Sequence, residues 1–236
     1  MKQMSNPAPT SPILSHQALR DDLARLVMPS SRLRAPQMFL ANASGVQFAL
    51  TRARVHEFCG PARTTLAAFV LAATAGAVIW ASPAWLPERV YPYGLMPFAD
   101  PNRIIFARCR RPEDILWVME EALRSGAAPV VLGDLPTPPA LTPIRRLHLA
   151  AEAGAEAAHR RGRPAPLGLI LTPQMGGAQG VESRWHMQCA PSGMTMLENR
   201  AAWTLSRLRA RGVPPARWGV ARAKGQVSIT ALEGGE

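Results

Sequence analysis

The chain has 236 residues, 47% of them hydrophobic, and a formal net charge of +11. That length carries one α/β domain plus an arm, with roughly 70% of the unfolded surface buried. Three cysteines far apart, Cys59, Cys109 and Cys189, with no CxxC, exclude a disulfide framework and a cysteine zinc site, and fit a reducing cytosol. The positive balance favours acidic partners, nucleic acid being the simplest. Lys2 and Lys224 are the only lysines, and the chain is rich in Arg, Ala and Pro, so a purely compositional origin of the charge stands level with a functional one.

Met1 to His16 lacks the apolar core of a signal peptide, and Met1 to Pro12 is polar and Pro-rich, as disordered segments are. Ala18 to Met28 sets Leu19, Leu23, Leu26 and Val27 against Arg20, Asp21, Asp22 and Arg25, which predicts a short amphipathic helix. Pro29 to Thr51 reads as a mixed connector, so residues 1–50 are expected to form an arm and 51–236 the folded domain.

Val55 to Ala81, VHEFCGPARTTLAAFVLAATAGAVIWA, predicts strand, turn, helix, strand. VHEFC closes on Gly60-Pro61. Leu66 to Ala75 is uncharged and rich in Ala and Leu, which favours helix, and Gly76 ends it. AVIWA has the β-branched and aromatic content of a buried strand. The uncharged run is shorter than the ~20 residues of a membrane span. A strand, a Gly-led turn and a helix opening on Thr-Thr is where P-loop proteins cradle phosphate. That loop needs about six residues between its first Gly and the Ser/Thr, with Lys before the Ser/Thr. Here only Pro61, Ala62 and Arg63 separate Gly60 from Thr64, and Arg63 stands in place of the lysine. A planar guanidinium does not replace a compact ammonium. The helix N-terminus still presents unpaired N–H groups that suit weak anion binding.

These residues carry a resemblance. VHEFCGP…TTL, an apolar helix and AVIWA resemble the start of a RecA-type ATPase core. More closely they are similar to the ImuA family, degenerate RecA-like proteins of bacterial damage-induced mutagenesis, and the pair His56-Glu57 is part of the likeness. The likeness runs from about Val55 to Thr172 and loosely onward. In RecA-type ATPases the end of the second strand carries an acid that activates water; the matching position here is Ser82, with no base beside it.

Ser82 to Pro101 is dense in Pro, Gly and aromatics, which predicts an irregular or only briefly helical segment. It offers Trp85, Tyr91, Tyr93 and Met96 as partner-contact residues. Arg103 to Cys109 reads as a strand. A helix starts at Pro112, with Ile115, Val118, Met119, Ala122 and Leu123 inward, Trp117 and Glu120 outward, and Gly126 as its cap. Ala128 to Asp134 is a buried strand ending in an acid, as a Walker-B strand does; an Asp that simply caps the strand end is the structural alternative. Thr142-Pro143 predicts the N-cap of a helix to about His159 with Ile144, Leu147, Ala151 and Ala155 inward, and Arg160, Arg161 and Arg163 suit its negative end. Leu167 to Thr172 is a core strand, followed by Gln174, where the resemblance implies a sensing glutamine. Gly176 to Gly180 is short for a recombinase DNA loop. Glu182 to Cys189, Ala202 to Ala210 and Trp218 to Thr230 read as strands. Arg207, Arg209 and Arg211, at period two, would line one face as a strip for phosphate or an acidic partner, or else protect an edge strand.

The expected fold is therefore α/β, a mostly parallel sheet finished by antiparallel strands. The resemblance specifies a RecA-like core with a degenerate P-loop whose remnant is Gly60, Arg63, Thr64 and Asp134, with no cofactor, no metal and no catalytic residue. It implies a cytoplasmic, non-catalytic accessory protein of SOS-induced translesion synthesis, nucleoid-associated when active. Its partners would be an ImuB-like Y-family polymerase homologue and a DnaE-type error-prone polymerase, with RecA filament as a further contact and weak nonspecific DNA binding. The alternatives are a SulA-like inhibitor of cell division, an atypical ATPase and a plain DNA-binding protein.

Overall fold

The computed structural model describes residues 37–43, 46–190, 201–223 and 226–232. The predicted helix Ala18 to Met28 lies outside them. Two strands, β1 (Gln37–Ala43) and β2 (Val46–Thr51), form an antiparallel hairpin. Met38, Phe48 and Leu50 of this hairpin sit in the main core. The expected arm therefore ends earlier than residue 50: what reads as a mixed connector supplies core side chains.

Nine further strands make one sheet: β3 (Val55–Cys59), β4 (Val78–Pro83), β5 (Ile104–Cys109), β6 (Val130–Asp134), β7 (Leu167–Thr172), β8 (Ser183–Cys189), β9 (Ala201–Ala210), β10 (Ala216–Ala223) and β11 (Gln226–Ala231). Their order is β11-β10-β9-β8-β3-β7-β6-β4-β5. From β8 to β5 every pairing is parallel; from β8 to β11 every pairing is antiparallel. This is the expected α/β sheet with antiparallel C-terminal strands.

Helix α1 (Arg63–Ala72) covers one face, and α3 (Pro112–Ser125) and α4 (Leu141–His159) cover the other. Side-chain alternation along the strands divides the core accordingly. Phe58, Trp80, Leu132, Leu169 and Trp185 face α1, while Val55, Ala81, Val131 and Ile170 face α3 and α4. Every residue of α1 from Leu66 to Leu71 is buried, as an all-apolar helix must be. The loop after β4 holds one short helix, α2 (Pro92–Leu95), as its composition predicts.

Three expectations need correction. Glu120 of α3 is buried, not outward, because Arg124 and Arg146 hold its carboxylate at 2.5 and 2.6 Å. Thr142 is not the N-cap of α4: the helix begins at Leu141 after Ala140. Pro143 then falls in the first turn, where its missing N–H goes unused. Arg161 and Arg163 donate to the carbonyls of Ser125 and Ala127, so they secure the end of α3 and not only the end of their own helix. Among the described residues no helix is long and apolar enough to cross a membrane.

Candidate functional site

In open parallel sheets, ligands bind beyond the carboxyl ends of the strands. Here that rim gathers Gly60 after β3, Ser82 at the end of β4, Asp134 at the end of β6 and Gln174 after β7. The positions that the sequence matched to an ATPase core thus share one edge.

At the turn, Gly60 has φ +91°, and a Cβ there would lie 2.5 Å from the Met187 carbonyl and 2.7 Å from the His186 ring. The Ala62 N–H donates to the same Met187 carbonyl at 3.0 Å. Strand β8, the neighbour of β3 in the sheet, therefore closes on the side of the turn, and the chain enters α1 directly. Arg63 folds back: one terminal nitrogen donates to the Gly60 carbonyl at 3.4 Å, and the other stands 3.9 Å from an Asp134 carboxylate oxygen. Burial pushes the Asp134 carboxyl up, Arg63 opposes this and Glu88 adds to it. Thr64 is exposed on the first turn of α1. Ser82 accepts a hydrogen bond from Arg108 at 3.3 Å, so a cation and not a base stands beside it. Gln174 is exposed, in the left-handed region at φ 53°.

Between this rim and the loop after β4 lies a cleft of about 490 Å³. Its walls include Trp80, Phe106, Tyr91, Arg89 and Asp134. Trp85, Tyr91, Tyr93 and Met96 are all exposed, with the Tyr91 and Tyr93 rings 5.6 Å apart. Leu95, Phe98 and Ala99 anchor the loop to the core. The four residues proposed from sequence thus stand outward on a secured loop.

The three arginines of the C-terminal strands do not line one face. A bulge interrupts the β8–β9 pairing, so Arg207 opposes Trp185 while Arg209 opposes Arg184. One extra residue reverses the side-chain alternation. Arg207 lies over both Trp185 and Trp218, 5.6 and 5.2 Å from their ring centres, and donates to the Pro214 carbonyl. Arg211 pairs with Glu182 at 3.7 Å.

A polar cluster centred on Glu57, one of the His56-Glu57 pair, lies under the rim on the α4 face. Glu57 is wholly buried in β3. Its carboxylate accepts from the Thr172 hydroxyl at 2.7 Å, the Gly177 and Ala178 N–H groups at 2.9 and 3.1 Å, and Arg184 at 2.5 Å. Arg184 also donates to the Ala178 carbonyl at 2.8 Å. The Gly176 to Gly180 loop is thereby pinned to the central strand, and Gly176, at φ +71°, packs against the carboxylate where no side chain fits. Next to it, the ring of His56 donates to the Thr51 carbonyl at 2.9 Å and accepts from Ser183 at 2.6 Å. Burial pushes its pKa down to about 4, against the opposing effect of the Thr51 bond. The sequence signal for this cluster was a charge within the apolar run VHEFC, which burial makes costly unless it is paired.

No protein-family model matches this chain, and no curated protein is detectably similar to it.

Proposed function

We propose that this chain is a non-catalytic, RecA-like accessory protein of SOS-induced, error-prone translesion DNA synthesis. It acts in the cytoplasm, at the nucleoid when engaged, through contacts with an ImuB-like polymerase homologue and a DnaE-type polymerase, with RecA filament as a further contact. The observation that carries the reading is the turn between β3 and α1. A mostly parallel α/β core supports it, with a turn of only three residues between Gly60 and Thr64, closed on its side by β8, and Arg63 directed to Asp134 and to its own turn. A scaffold without a phosphate cradle has its surface left to work with. The exposed Trp85, Tyr91, Tyr93 and Met96 are of the types that anchor protein interfaces.

The test is deletion of the gene, ultraviolet exposure and a count of resistant mutants. Induced mutation is expected to fall. Replacing Trp85 and Tyr93 should reproduce the loss without lowering the melting temperature, whereas Arg63→Ala should leave mutation intact. Undiminished mutation with unchanged survival removes the assignment. Filamentation on overexpression would move it to an inhibitor of cell division.

A further inference from the structure

The strand β5 ends the nine-stranded sheet, so one side of its backbone has no partner strand among the described residues. The other end of the sheet differs, because the β1–β2 hairpin packs against β11. Edge strands are ordinarily protected by charge, proline or a bulge. Ile104–Cys109 contains no proline and pairs with β4 residue by residue, without a bulge. Its one charge, Arg108, is exposed but tied down at the cleft, donating to Ser82 and to the carbonyls of Ala84 and Leu86. What the edge presents instead is apolar: Ile105 is 57% exposed and Phe106 47%, on opposite faces.

On the Phe106 face the strand borders the 490 Å³ cleft, where Trp80 and Phe106 lie with ring centres 6.1 Å apart. Arg89 stands in the cleft wall, and Arg110 and Arg111 follow β5 directly; all three are exposed. None of them forms an ion pair with a carboxylate among the described residues. A row of unpaired N–H and C=O groups, a cleft for one side chain and cations at one end are the parts of a strand-addition site: the backbone supplies the hold and the cleft the specificity.

We propose that the β5 edge accepts an extended peptide segment of a partner protein as a tenth strand. One large apolar side chain of that segment seats over Trp80 and Phe106, and its acidic residues face Arg89, Arg110 and Arg111. The proposal rests on the accessory-protein reading only for the existence of a protein partner. The unpaired backbone favours a peptide over nucleic acid, because a strand matches both its donors and its acceptors.

The test immobilises the full chain and selects from a library of displayed random peptides. Enriched peptides should alternate apolar residues, include a large apolar or aromatic side chain, and carry Asp or Glu toward one end. A synthetic copy of the best of them should protect the amides of residues 104–109 from hydrogen exchange. Its binding should weaken at least about tenfold both on Phe106→Ala and on the charge reversal Arg110→Glu with Arg111→Glu. These side chains are exposed, so unchanged melting of each variant separates lost binding from lost fold. No enrichment, enriched peptides without acids, or binding indifferent to these substitutions overturns the proposal. So does a dimer in sedimentation that Ile105→Lys dissolves, since the occupant is then a second copy. Peptide binding is read in vitro and induced mutation in cells, so the edge stands or falls on the first and the accessory role on the second.

Discussion

Replacing Glu57 by Gln keeps the shape of the side chain and removes its charge. The carboxylate has five hydrogen bonds: one from Thr172, one from Gly177, two from Ala178, which reaches both oxygens, and one from Arg184. All are donors, so a glutamine amide must turn its NH₂ toward at least one of them. In either orientation Arg184, 18% exposed, loses its counter-charge; if the NH₂ faces Arg184 two donors also meet, and if it faces the loop the backbone N–H groups lose their acceptor. Removing one partner of a buried pair while keeping a single acceptor oxygen costs about 3 kcal/mol. For a domain of this size that lowers the melting temperature by roughly 10 °C. Urea unfolding followed by circular dichroism measures the first quantity and a thermal scan the second, while hydrogen exchange at Gly177 and Ala178 reports the loop itself. The double replacement Glu57→Leu with Arg184→Met leaves no buried charge unpaired but strands the Gly177 and Ala178 N–H groups, so it should recover only part of the loss. A loss below about 1 kcal/mol for Glu57→Gln, with exchange at Gly177 and Ala178 unchanged, would refute the view that this carboxylate holds the loop.

The His56 imidazole, held down at about 4 in the folded chain against an ordinary value near 6.5, contributes stability that is complete above 6.5 and lost as pH falls through 4. Urea unfolding from pH 7 to 4 should show about 3 kcal/mol more loss for the native chain than for His56→Gln, and parallel pH profiles would contradict this. Gly60→Ala combines a positive φ with a Cβ 2.5 Å from a carbonyl oxygen and should cost at least about 2 kcal/mol, whereas Gly162→Ala, with φ +64° and open space, should cost about 1; scanning fluorimetry compares them. Magnesium-ATP at about 1 mM should leave the melting temperature where it is, and a shift that Arg63→Ala abolishes would show that the turn still holds phosphate.

Runs whose local pattern matched their burial were legible in the sequence. VHEFC, AVIWA and LGLILT are strands, Leu66 to Leu71 is a buried helix, and Gly126 ends α3 in the left-handed region. Each depends on periodicity, propensity or turn chemistry within about a dozen residues. The missing lysine and the shortened turn were equally local, and the sequence alone placed them. Other features depended on residues far apart in the chain. Glu57 is satisfied by groups 115 to 127 positions away. Glu120 is buried because α4 brings Arg146 beside it. The period-two arginines part company because one bulged residue in the β8–β9 pairing turns the strand over. RIIFARC reads as an ordinary strand; the strand order β7-β6-β4-β5 is what puts it at the rim with Ile105 and Phe106 outward. Periodicity tells which faces of an element are apolar, but strand order and register, set by packing across the whole sheet, decide which of those faces is covered.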